Sequence, residues 1–220
     1  MKKLLLILLC LPFIFTSCNS HKTELNTYND IVDIELDRDT VITDIFMGLK
    51  YGDSELTTKK KLRKLLKEKK ISSNNKNLLE YEFAIEQGTE DLIGKVKAII
   101  DVKFHNDKLY KLTLRASPDR TKKFYVGDDR TLQLIHVTLY SIFHFKYIYK
   151  GYKTYEMKNT LSEENIDKYL IYANNQIKIS TWLNTDVTYT DLRILKEIEI
   201  QEKKEIEASE KERMKKINDL

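Results

Sequence analysis

Cysteine is nearly absent from this chain. Two occur in 220 residues: Cys10, inside an apolar N-terminal run, and Cys18 just beyond it. If that run is removed as a leader, one cysteine remains. An intramolecular disulfide and a cysteine metal cluster are then both excluded, and the fold must be held by packing alone. Glycine is scarce too, with six in all. No G-x-S-x-G nucleophile turn occurs, and Gly48-Leu49-Lys50-Tyr51-Gly52 lacks the Gly-Lys-Ser/Thr of a phosphate loop. The longest apolar stretch, Leu4 to Phe15, has 12 residues. As a helix it would cover about 18 Å against a hydrocarbon core of about 30 Å, too short to span. Nor does one sign of charge dominate: 38 basic residues stand against 34 acidic. Loss of residues 1–17 would leave 36 against 34 and argue for no particular partner. At 33% charged and 41% hydrophobic, the composition is that of an ordinary folded chain, long enough for one domain.

The N-terminus carries the clearest pattern. Lys2-Lys3 is a positive n-region, and Leu4 to Phe15 has the length of a signal-peptide h-region. Phe15-Thr16-Ser17-Cys18 follows, and resembles the bacterial lipobox: a bulky apolar residue, two small ones, then the acylated cysteine. The usual first residue is Leu, and Phe15 departs from it as Bacteroidota lipoboxes often do. The resemblance implies a signal peptide over 1–17 and lipidation with palmitate-type chains at Cys18. It also implies attachment to the cell envelope, at the periplasmic face of the outer membrane, since residues 19–24 hold a single acid, Glu24.

Residues 18–40 read as a polar tether with one short strand, Ile31 to Leu36. An α+β domain is expected over 41–190. Gly52, with Asp53 or Ser54 as cap, opens a helix over 55–70 whose buried stripe is Leu62, Leu65 and Leu66. Strands are expected at 78–86, 95–104 and 108–115, the last two joined by His105-Asn106-Asp107. A second helix over 130–149 ends at Gly151. Further strands follow at 169–173 and 176–183, around an Asn174-Asn175 turn, and at 187–190. Gly52-Asp53 and Gly127-Asp128 are 75 residues apart. Either this marks a duplicated helix-then-strands unit, with halves 41–118 and 119–190, or short Gly-Asp matches recur by accident. Residues 191–220 read as one charged helix, with Glu-before-Lys pairs at i, i+4 such as Glu207–Lys211, either projecting from the domain or lying weakly along it. The Phe46–Ser54 helix entry, the Tyr172–Trp182 hairpin and the charged C-terminal helix resemble uncharacterised small lipoproteins of the Bacteroidota. That resemblance implies no known activity.

Candidate chemistry is thin. His136 and His144 share the second helix eight residues apart, about 12 Å along the axis, and no Glu accompanies them as a zinc-protease helix requires. Asp128-Asp129 and Glu163-Glu164 could serve a hydrolase but are more simply explained by capping and helix-start electrostatics. No catalytic, metal or cofactor site is therefore expected. The most pointed local feature is the basic first helix, whose Lys60, Lys64 and Lys67 are candidates for contact with a membrane surface. Tyr147, Tyr149, Tyr152 and Tyr155 are candidates for a protein partner in the envelope; an export signal removes nucleic acid. The expectation is a lipid-anchored, non-catalytic binding or structural module. The alternatives are an inhibitor or immunity-type protein and a periplasmic enzyme without a recognisable motif.

Overall fold

The computed structural model describes residues 27–85, 94–116, 129–159, 162–180 and 185–218. The leader with Cys18, most of the tether, and Gly127-Asp128 lie outside the described residues.

The first element departs from expectation. Residues 31–36 belong not to a strand but to a helix, α1 (Tyr28–Leu36). Its β-branched residues suggest a strand, yet Tyr28, Ile31, Val32 and Leu36 recur at helical spacing, and a capping box starts the turn. The Thr27 amide donates to the Asp30 carboxylate at 2.8 Å, and the Asp30 amide donates back to Thr27 Oγ1 at 3.3 Å. Part of the expected tether is thus folded onto the domain.

Helix α2 (Glu55–Lys67) is capped by Ser54, as expected, and buries Thr58, Leu62 and Leu65. Leu66 was expected in that stripe but is 38% exposed. Thr58, one turn before Leu62, lies on the sheet-facing side, and Leu66 sits at the edge of it. Strands β1 (Ser72–Ser73), β2 (Leu79–Ile85), β3 (Gly94–His105) and β4 (Lys108–Ala116) follow. Asn106 and Asp107, both at positive φ (48° and 58°), form the tight turn between β3 and β4. Then come helix α3 (Asp129–Ile148) and strands β5 (Lys153–Asn159), β6 (Ser162–Tyr172), β7 (Asn175–Ser180) and β8 (Thr185–Asp191). Strand β5 and the first half of β6 escape sequence reading because a polar edge strand carries little hydrophobic alternation. The β6–β7 turn falls one residue early, on Ala173-Asn174, with Ala173 at φ 51°.

The eight strands among the described residues form one antiparallel sheet in the order β1-β2-β3-β4-β8-β7-β6-β5. A helix followed by four strands therefore occurs twice, and the two runs meet edge to edge at β4·β8. At this junction Thr113 faces Thr188, with their hydroxyls 3.3 Å apart. Both halves share one sheet and one core, so they are not separate domains.

One face of the sheet carries that core. Leu112, Leu114, Ile177, Ile179, Val187 and Tyr189 pack beneath Leu62 and Leu65 of α2 and Leu139, Phe143 and Tyr147 of α3. Buried polar groups tie in the ends. The Tyr51 hydroxyl donates to Asn175 Oδ1 at 2.7 Å, and Asn175 Nδ2 donates to the Tyr152 hydroxyl at 2.5 Å. Asn174 exchanges two hydrogen bonds with the backbone of Ile42, at 2.6 and 3.0 Å.

Strand β8 runs directly into helix α4 (Leu192–Asn218), the expected charged helix. Asp191 caps it, accepting the Arg193 amide at 3.0 Å. Burial pushes the Asp191 carboxyl above its ordinary value, and hydrogen bonds from Asn174 and the Arg193 and Ile194 amides offset this only in part. Replacing Asp191 by Ala is expected to cost about 1 kcal/mol in urea unfolding, and Asp191→Asn much less, because Asn retains a capping oxygen. Equal losses would show that the cap contributes nothing.

Candidate interaction surface

The second face of the sheet is only partly covered. Tyr28, Ile31, Val32 and Leu36 of α1 and Leu192 and Leu195 of α4 pack on Tyr155, Tyr169 and Ile171. The Tyr28 hydroxyl also donates to Gln176. Beneath α1 lies Glu35, whose carboxylate is fully buried. It accepts Arg38 Nε at 2.5 Å and Nη2 at 3.0 Å, the Ala173 amide at 3.0 Å and Lys153 Nζ at 3.2 Å. Burial alone would raise this carboxyl. The bonds from Arg38, Ala173 and Lys153 outweigh it and hold the group below the usual carboxylate range.

No described element covers this face over β3, β4 and β8. A β-bulge decides what it displays. A plain two-residue hairpin would set Lys103 opposite Tyr110 and send Lys111 to the other side. The register instead shifts between Lys103 and Phe104, so that Lys103 faces Lys111 directly. Lys97, Asp101, Lys103, Lys111, Arg115, Asp186 and Thr188 consequently share the open face. Lys97 pairs with Glu80 at 3.8 Å, Arg115 with Asp186 at 3.6 Å and Lys178 with Asp167 at 2.7 Å. Lys103 and Lys111 have no ion-pair partner among the described residues. Partial burial lowers the Lys111 ammonium below its ordinary value, with Lys103 and Lys178 adding to the effect and Asp101 opposing it. Like charges set opposite each other on a sheet destabilise it. Lys111→Gln is therefore expected to raise the unfolding free energy by about 0.5 kcal/mol. A loss of stability would show that the lysine pair is not strained.

The sequence-derived candidates fall in different places. Lys60, Lys64 and Lys67 are exposed on the outward side of α2, opposite Thr58, Leu62 and Leu65. Lys64 is 3.8 Å from Glu68. They belong to the layer on the sheet face that α1 does not touch. The four tyrosines are not brought together, which corrects the expectation of an exposed aromatic patch. Tyr147 and Tyr152 are 6% and 5% exposed in the main core, Tyr155 packs under α1 on the other face, and Tyr149 is 87% exposed. Burying three rings stabilises the fold far more than displaying them would. The side chain of His136 lies outside the described residues. His144 is half-buried, with Nδ1 at 3.3 Å from the Tyr140 hydroxyl rather than beside a carboxylate. Among the described residues, no group of three or more His, Cys, Asp or Glu side chains could hold a metal ion. No described helix is long and apolar enough to cross a membrane.

Glu35 and the Lys103–Lys111 pair were missed from sequence. Glu35 stands one residue before Leu36 in a helix read as a strand, and the lysine pair depends on a bulge that has no local signature. These features define the chain as an α+β protein: one eight-stranded antiparallel sheet, clad in helices on one face and open and charged over half of the other. Compared with known protein families, curated proteins and solved structures, the chain matches none.

Proposed function

We propose that this protein is a lipid-anchored component of the cell envelope, held by acylated Cys18 at the periplasmic face of the outer membrane, and that it is a non-catalytic binding module. The observation that carries the reading is the N-terminal pattern: Lys2-Lys3, the 12-residue apolar run and Phe15-Thr16-Ser17-Cys18. A short apolar run ending in small residues before a cysteine suits cleavage and acylation, and suits neither a spanning helix nor a buried core segment. The open face over β3, β4 and β8 supports a binding role, because its like-charged lysines spend stability without a structural return.

Growth with labelled palmitate tests the anchor. Label is expected in the mature chain. An unlabelled protein of full precursor mass would sink the reading.

A further inference from the structure

The first turns of α4 run antiparallel to α1. Arg193 Nη2 reaches the Arg38 carbonyl at 3.5 Å, Lys196 Nζ pairs with Asp33 at 2.5 Å, and Glu199 lies beside Tyr28. Packing stops there. From Glu199 to Lys215 every residue is exposed, Met214 at 60%. The rest of the helix, to Asn218, extends about 28 Å beyond the N-terminus of α1 at 1.5 Å per residue. That is the end of α1 from which the chain leads back to Cys18. Ten Cα–Cα steps separate Cys18 from Tyr28 and reach at most about 36 Å. The free helix is thus nearly as long as the longest leash, and it passes the end of α1 where the described residues begin.

Charge is sorted along this helix. From 197 to 210 the acids Glu197, Glu199, Glu202, Glu205, Glu207 and Glu210 outnumber Lys203 and Lys204. From 211 to 216 the order reverses, with Lys211, Arg213, Lys215 and Lys216 against Glu212. Complementing the helix dipole needs a cation only in the last turn; here the basic stretch begins two turns from the end, around the exposed Met214. Basic residues with an apolar neighbour at the tip suit an anionic headgroup layer.

We infer that the free end of α4 rests on the anionic lipid surface to which the protein is anchored, making the helix a strut that sets the height and orientation of the domain. The inference rests on the acylation of Cys18. Acylation leaves the mature protein without a free thiol, so an introduced cysteine can carry a polarity-sensitive dye at one chosen site. The mature lipoprotein would be reconstituted in vesicles of phosphatidylcholine with phosphatidylglycerol, labelled as Met214→Cys, Lys60→Cys or Tyr149→Cys. The dye at 214 is expected to shift to shorter wavelength and to be quenched by brominated lipid, while the dyes at 60 and 149 stay in water. Reversing Lys211, Arg213 and Lys215 to Glu, or raising salt to about 1 M where screening acts within about 3 Å, is expected to abolish the shift. A dye at 214 as wet as that at 149 overturns the inference, as does entry of the dye at 60 instead, which would assign the contact to α2. Palmitate content is read on the same sample. A chain with palmitate and a wet tip overturns the strut alone, whereas a chain without palmitate overturns the anchor and the strut together.

Discussion

Cys18→Ser is expected to move the protein almost completely from the membrane fraction to the soluble fraction. Each buried CH₂ contributes about 0.8 kcal/mol, and one acyl chain gives only reversible binding, so a cysteine bearing several chains is held far more firmly than any surface contact could hold it. The basic groups of the α4 tip add about 1 kcal/mol each when they lie near an anionic surface. They can bias orientation yet cannot replace the anchor. In detergent phase separation the wild type is expected in the detergent-rich phase and Cys18→Ser in the aqueous phase. If the serine variant partitions like the wild type, a different segment holds the protein.

Glu35→Ala has the largest expected effect on folding. The carboxylate it removes is the acceptor for the buried Ala173 amide in the β6–β7 turn and the partner of Arg38 and Lys153. Arg38 and Lys153 side chains are 39% and 50% exposed, so their charges rehydrate once released, and the ion pairs by themselves contribute little. The orphaned amide is the heavier loss, about 1–3 kcal/mol, and α1 loses its fixed point on the sheet. A total near 3 kcal/mol is expected in urea unfolding, with Glu35→Gln intermediate because its amide oxygen still accepts from Ala173. The pH dependence carries a separate signature. A carboxyl whose pKa is lowered by folding stabilises the protein above its unfolded pKa, and that stabilisation is lost as pH falls through the folded value. Asp186 and Asp191 are shifted the other way, chiefly by burial, so folding gains from their protonation as pH falls. Stability of the wild type is therefore expected to hold or rise slightly on mild acidification and to fall at lower pH. The Glu35→Ala variant should lack much of that later fall. An unchanged acid limb would show that Glu35 is not the group responsible.

Glu35 also fixes α1, the first described element after Cys18, on the sheet. Helices α1 and α4 are held together by Lys196–Asp33 and by packing on Tyr155 and Tyr169.

Much of this architecture was legible residue by residue. Ser54 as a cap, Asn106-Asp107 as a tight turn, Gly151 as a helix stop and the alternation along β3 are local signals, set by backbone conformation and by the period of the apolar residues. The 75-residue recurrence of Gly-Asp was legible as well, but Gly127-Asp128 lies outside the described residues. What one sequence could not convey was pairing between distant strands. The bulge beside Lys103 moves Lys111 onto the open face, and the meeting of β4 with β8 makes one sheet of two halves. The burial of Tyr147 and Tyr152, the solvent position of Leu66 and the charged centre at Glu35 all follow from which surfaces happen to meet. The chain by itself determined most of the elements and their caps, because those depend on neighbours within a few residues. Only the tertiary structure decided which face stays open and where the free helix points, because the first follows from strand pairing and the second from contacts between α1 and α4, far apart in the chain.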